Sequence, residues 1–153
     1  MDTSGYFAYP TPQVDEASTT PGFLEQADER AWDTLLAAMQ TLILRPGDTV
    51  FSEGQADRAF YLLTDGALEI AAAGGAPATV AAPPAEVLNE ISFIDGGGCT
   101  ATVRAVTDGR VLRLNYDAFE AVAAREPHLA RQIMLDLARM LAVRLRYGSG
   151  QRG

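Results

Sequence analysis

The chain has 153 residues, 48% of them apolar and 21% charged, with a formal net charge of −8. That length accommodates one domain with a sizeable core, and the acidic balance makes the chain a poor general binder of nucleic acid or anionic membrane. No apolar run approaches the roughly 20 residues of a membrane span, no basic-then-apolar leader opens the chain, and the single cysteine excludes an internal disulfide or a four-cysteine cluster; a cytoplasmic protein is expected.

Residues 1–22 are small, polar and broken by proline, the composition of a flexible arm. Tyr6, Phe7 and Tyr9 interrupt it, followed by Pro10 and Pro12, and are candidate docking residues. A folded domain is expected over residues 23–147 and a disordered tail over 148–153. Residues 23–40 predict a helix, with Ala27, Ala31, Trp32, Leu35, Leu36 and Met39 at helical spacing. Short β-prone runs follow at 41–45, 49–52, 59–63, 67–72 and, weakly, 79–80. Pro46-Gly47-Asp48, Glu53-Gly54 and Asp65-Gly66 punctuate them. Short strands with turns every 8–12 residues indicate a barrel or jelly roll.

Residues 86–105, EVLNEISFIDGGGCTATVRA, form the most informative stretch. An apolar approach leads into Asn89-Glu90, then Ile91, Phe93 and Ile94, a flexible Asp95-Gly96-Gly97-Gly98, and the alternating run Thr100 to Ala105. A one-turn helix leading through a glycine loop into a strand points backbone N–H groups at an anion. After it, Asp108-Gly109 signals another hairpin and residues 111–114 a returning strand.

The stretch resembles the phosphate-binding cassette of cyclic-nucleotide-binding domains, the module of Crp/Fnr regulators, cyclic-nucleotide-gated channels and kinase regulatory subunits. The resemblance covers about residues 23–146. It implies a mainly β fold with flanking helices: an antiparallel double-stranded β-helix (jelly roll, or β-roll) of about eight strands over 41–115. It places a nucleotide cassette on Asn89, Glu90, Ile91, Ser92, Gly97, Gly98, Cys99, Thr100 and Ala101, with Glu90 matching the glutamate that holds the ribose 2′-hydroxyl. Two positions depart from the pattern. Asn89 stands where the family has glycine, and Cys99 where it has the arginine that pairs with the cyclic phosphate. Asn tolerates left-handed backbone. Cys99 supplies a weak donor without charge, and losing a charge-assisted partner costs roughly 2–5 kcal/mol, a factor of about 30 to several thousand in affinity. Arg104 does not substitute, because strand alternation turns it to the opposite face from Cys99.

Residues 115–124 predict a short helix, and Glu126-Pro127 opens a final one. Leu129, Ile133, Met134, Leu137, Leu141 and Leu145 spread over about 160° of that helix. A stripe so wide predicts burial against a protein partner or a twin in a homodimer, with Tyr6, Phe7 and Tyr9 as a second contact. Arg131, Arg139, Arg144 and Arg146 read as a solvated face, with Arg144 pairing at an interface. The single histidine, His128, cannot build a metal site or a triad, and Cys99 has no Lys or His beside it in sequence to activate it. In the family's transcription factors a helix-turn-helix follows this helix; the sequence ends here, so nucleic-acid binding is not expected, nor is membrane insertion. The expectation is a non-enzymatic regulatory or structural interaction module with no cofactor, no metal and no tight cAMP or cGMP binding. The alternative is a genuine cAMP or cGMP sensor that signals to a separate partner.

Overall fold

The computed structural model describes residues 23–72, 78–81 and 86–148. The arm with Tyr6, Phe7 and Tyr9, and the tail after Gly148, lie outside the described residues. Chain order is α1 (Glu29–Ala38), β1 (Gln40–Leu44), β2 (Thr49–Phe51), β3 (Ala59–Asp65), β4 (Leu68–Ala72), β5 (Thr79–Ala81), β6 (Glu86–Leu88), α2 (Glu90–Asp95), β7 (Ala101–Ala105), β8 (Gly109–Asn115), α3 (Tyr116–Arg125) and α4 (Pro127–Val143). A π-helical turn, Arg144–Gly148, continues α4.

The strands form two antiparallel sheets in the orders β1-β8-β3-β6 and β2-β7-β4-β5. Strand β3 explains why Ala59 to Leu63 is apolar without alternation. It lies inside its sheet, between β8 and β6, and both of its faces are covered. Ala59, Tyr61 and Leu63 point between the sheets, where Phe51, Leu68, Val103 and Val111 meet them. Phe60 and Leu62 point the other way, into a second core shared with the helices through Leu35, Phe93, Phe119 and Ile133. The Asp65-Gly66 and Asp108-Gly109 turns pack on each other. Gly66 has φ +91°, and a Cβ there would strike the backbone of Asp108 and Gly109. Arg110 ties the two turns by donating to the Asp65 carboxylate.

Three expectations change. The first helix begins at Glu29, not at residue 23, because Asp28 caps it by accepting from the Ala31 N–H at 2.9 Å. Before the cap, Leu24 sits at φ +54° and is fully buried; the carboxylate of Asp136 on α4 holds its N–H at 2.8 Å. The approach to the cassette is itself a strand, β6, which pairs with β3 through Tyr61↔Leu88 and Leu62↔Val87; three residues carry too little alternation to announce it. Finally, Leu129, Ile133 and Leu137 are covered by the domain's own core and are not available to a partner. The second core, with Phe23, Phe60, Phe93 and Phe119, is deep enough to receive that face of α4. Of the six stripe residues, Met134 and Leu141 are half-buried and Leu145 is 69% exposed.

Candidate functional site

The site is built at the junction of β6, α2 and β7. Asn89 turns the chain from β6 into α2 with φ +69°, ψ +24°. Its side chain locks that turn, since Nδ2 donates to the carbonyls of Asp57 at 3.0 Å and Ala59 at 2.8 Å. The departure from glycine thus carries its own anchor. Helix α2 runs for six residues and stops at Gly96, φ +77°, whose N–H bonds the Ser92 carbonyl at 2.8 Å. Arg58 closes that helix end. It donates to the carbonyls of Phe93 and Ile94, both at 2.9 Å, and lies over the Tyr116 ring at 3.7 Å. The glycine loop is held by Asp95, which accepts from the Gly97 N–H, and by Ser92 Oγ, which donates to the Gly98 carbonyl. Gly98 is needed for packing, because a Cβ there would come within 3.0 Å of the Gly54 carbonyl oxygen.

Cys99 joins this arrangement from the core side. Its backbone bridges to Gly54 and Gln55 at 2.8 and 2.9 Å, and its side chain is buried between the sheets. Burial, and then the Asp57 carboxylate, push its thiol up from the ordinary value, against hydrogen bonds from Asn89 and Ser92. The alternation expected for β7 is present, with Arg104 exposed and Val103 and Ala105 buried.

Asn89, Glu90, Ile91, Thr100 and Ala101 come together around a cavity of about 60 Å³ whose apolar wall is Phe51, Ile70, Leu88 and Val103. Ser92, Gly97, Gly98 and Cys99 stand outside that lining. Ser92 is fully buried beneath the loop, while Gly97 and Gly98 are exposed.

The tenth lining residue is Arg144, expected from the sequence on a solvated face or at an interface. Its Nη1 donates to Glu90 Oε2, joining the π-helical turn to the start of α2. The Glu90 side chain is 3% exposed and that of Arg144 24%. Burial disfavours the charged form of each, raising the Glu90 carboxyl and lowering the Arg144 guanidinium. Their contact opposes both shifts, so the pair is held together by mutual need. A signal for Arg144 existed. It lies seven residues after Leu137 and eleven after Ile133, which at 100° per residue puts it on the same buried face.

Behind the site, Asp57 accepts from Arg113 Nη2 at 2.5 Å and from the Tyr61 hydroxyl. Arg113 is more than fifty residues from the other two and no motif joins them, so the sequence carries no signal for the cluster. Among the described residues no group of three or more His, Cys, Asp and Glu side chains is placed to hold a metal ion, and no helix is long and apolar enough to cross a membrane.

The cyclic nucleotide-binding domain family model matches residues 41–126, a span that holds every strand of both sheets except the first residue of β1, and the cassette. The chain belongs to that family. It is 26% identical over 131 residues to the CRP-like cAMP-activated global transcriptional regulator of Mycobacterium tuberculosis, covering 84% of this chain and 58% of that protein. It is 30% identical over 105 residues to the human potassium/sodium hyperpolarization-activated cyclic nucleotide-gated channel 3, covering 69% of this chain and 13% of the channel. The catabolite activator protein of Thermus thermophilus superposes with a TM-score of 0.72 at 26% identity, covering 84% of this chain and 60% of that structure. The chain therefore spans little more than half of the regulators it matches, and a small part of the channel.

A cyclic phosphate brings a negative charge into a water-poor site. Here the charged groups lining the cavity are Glu90 and Arg144, and they are in contact with each other.

Proposed function

We propose that this cyclic nucleotide-binding domain serves as a regulatory or structural interaction module, not as an enzyme, and that its cassette does not bind cAMP or cGMP tightly. The observation that carries this reading is the position of Arg144. Its side chain lines the cavity and its guanidinium contacts Glu90, the residue that the resemblance assigns to the ribose. The remaining space of about 60 Å³ is far below the roughly 300 Å³ at which small-molecule sites begin. Cys99 lies behind the cavity and adds no positive charge to it. A ribose seated on Glu90 would have to displace Arg144 from that carboxylate or share it.

The surface that supports an interaction role is the outer edge of α4 and its π-helical turn. Leu145 is 69% and Tyr147 62% exposed, Leu135 is 38% exposed, and Met134 and Leu141 border them. A protein partner or a second copy of the chain would cover this edge. A second reading, a cAMP or cGMP sensor signalling to a separate protein, is favoured by Glu90, Thr100 and Ala101 all facing the cavity, and by the relatives named for cAMP activation and cyclic-nucleotide gating. One observation separates them. Micromolar cAMP or cGMP raises the melting temperature of a sensor and leaves that of the module unchanged.

A further inference from the structure

We propose that the cassette cavity of this chain is a receptor for a guanidinium group, with Arg144 as its resident occupant. The inference rests on the reading that the cavity does not take a cyclic phosphate. Glu90 presents a carboxylate that is 3% exposed, at a cavity walled by Phe51, Ile70, Leu88 and Val103. A carboxylate so placed stays ionised only beside a cation and otherwise takes up a proton, because an isolated buried charge is costly. Arg113 is committed elsewhere, to Asp57, and Arg58 to the carbonyls at the end of α2. Arg144 supplies the cation from a segment 54 residues away. Guanidinium is the better cation for this place. It is weakly hydrated, planar and able to lie on aromatic and apolar walls, whereas an ammonium group keeps its water. The polarity of the site is thus inverted relative to a phosphate cassette, with a fixed anion in the wall and a cation as the guest. An arginine from a partner, or a small guanidinium compound, has the same chemistry and competes with Arg144 for Glu90. Success in that competition frees the π-helical turn that carries Leu145 and Tyr147.

Chemical complementation tests this. In Arg144→Ala the guanidinium and its methylene stem are removed, and the melting temperature falls. Ethylguanidinium chloride is then added in the tens-of-millimolar range, beside equal concentrations of ethylammonium chloride and sodium chloride. At about ten times its dissociation constant, ethylguanidinium is expected to raise the melting temperature of Arg144→Ala by about 3–5 °C. The other two salts should give no such rise, nor should ethylguanidinium act on the wild type or on the Arg144→Ala/Glu90→Gln double variant. No rise, an equal rise with ethylammonium, or an equal rise without the Glu90 carboxylate overturns the proposal. So does a rise of Arg144→Ala with cAMP but not with ethylguanidinium, since the vacated cavity would then prefer a nucleotide. If Arg144→Ala does not fold alone, its refolding yield from urea is read across the same salts. Selective recovery with ethylguanidinium supports the receptor, and recovery with both organic cations or with neither contradicts it. A response of the wild type to micromolar cAMP would instead remove the functional reading beneath it, and is measured separately.

Discussion

The side-chain amide of Asn89 donates to the carbonyl of Ala59 at 2.8 Å and, with its second hydrogen, to that of Asp57 at 3.0 Å. A residue at left-handed φ, where the family carries glycine, thereby fastens the start of the cassette to the first residue of β3. Asn89→Gly should relax the backbone, a gain of up to about 1 kcal/mol. It also leaves two carbonyls without these donors, at about 1–3 kcal/mol. The expected outcome is a net loss of about 1–2 kcal/mol in urea unfolding, and a larger loss for Asn89→Ala, which keeps the Cβ at positive φ.

Arg58 performs the matching task at the other end of α2. Arg58→Lys keeps a charge but loses the planar fork that reaches the Phe93 and Ile94 carbonyls and lies on Tyr116. We expect a loss of about 1–2 kcal/mol. Hydrogen exchange should become faster in α2 and the glycine loop while β3 and β8 stay protected. Uniformly faster exchange would show that Arg58 supports the whole fold instead of the cassette.

Tyr61 gives a pH dependence. Its phenol is held above the ordinary value of 10.0, chiefly by burial and then by its hydrogen bond to Asp57. Below about pH 10 both folded and unfolded states keep this proton, and the stabilising contribution is complete. Above it the unfolded chain releases the proton first, so stability falls as pH rises. Urea unfolding of Tyr61→Phe should show a shallower decline above pH 10 than the wild type, at a constant cost of about 1 kcal/mol below it.

The edge of α4 is tested by contrasting two leucines. Leu137 is fully buried in the helix-side core, whereas Leu145 is 69% exposed. Leu137→Glu should unfold the domain, because it buries a carboxylate without a partner. Leu145→Glu should leave the circular dichroism spectrum and melting temperature intact and weaken association, read by sedimentation velocity. Wild-type protein that sediments as a monomer at high micromolar concentration, with no co-purifying partner, removes the physical support for the interaction surface.

What was legible in the sequence follows from the range of each interaction. The turn signals Asp65-Gly66 and Asp108-Gly109 are local chemistry, and they mark the two turns that pack together. The unbroken apolar run in β3 and the alternation in β7 reflect burial that each strand carries in its own residues. Glu90 was recognisable because its neighbours in the cassette pattern are adjacent in the chain. Its partner was not, since Arg144 arrives from the last helix, and a charge among arginines reads as solvated unless its helical phase is compared with Ile133 and Leu137. Asp57, Tyr61 and Arg113 were hidden for the same reason. The contacts of Arg113 with the other two exist only after β3 and β8 have paired, through Tyr61↔Arg113.

The proposed loss of nucleotide binding is tested most directly by isothermal titration of the wild-type protein with cAMP and cGMP, beside a Cys99→Arg/Arg144→Ala double variant. The double variant restores the arginine of the family pattern and withdraws the side chain that contacts Glu90, while leaving the Asn89 anchor in place. The expected wild-type dissociation constant is on the order of 1 mM or weaker for both nucleotides, with tighter binding by the double variant. A wild-type constant below about 10 μM for either nucleotide would contradict it.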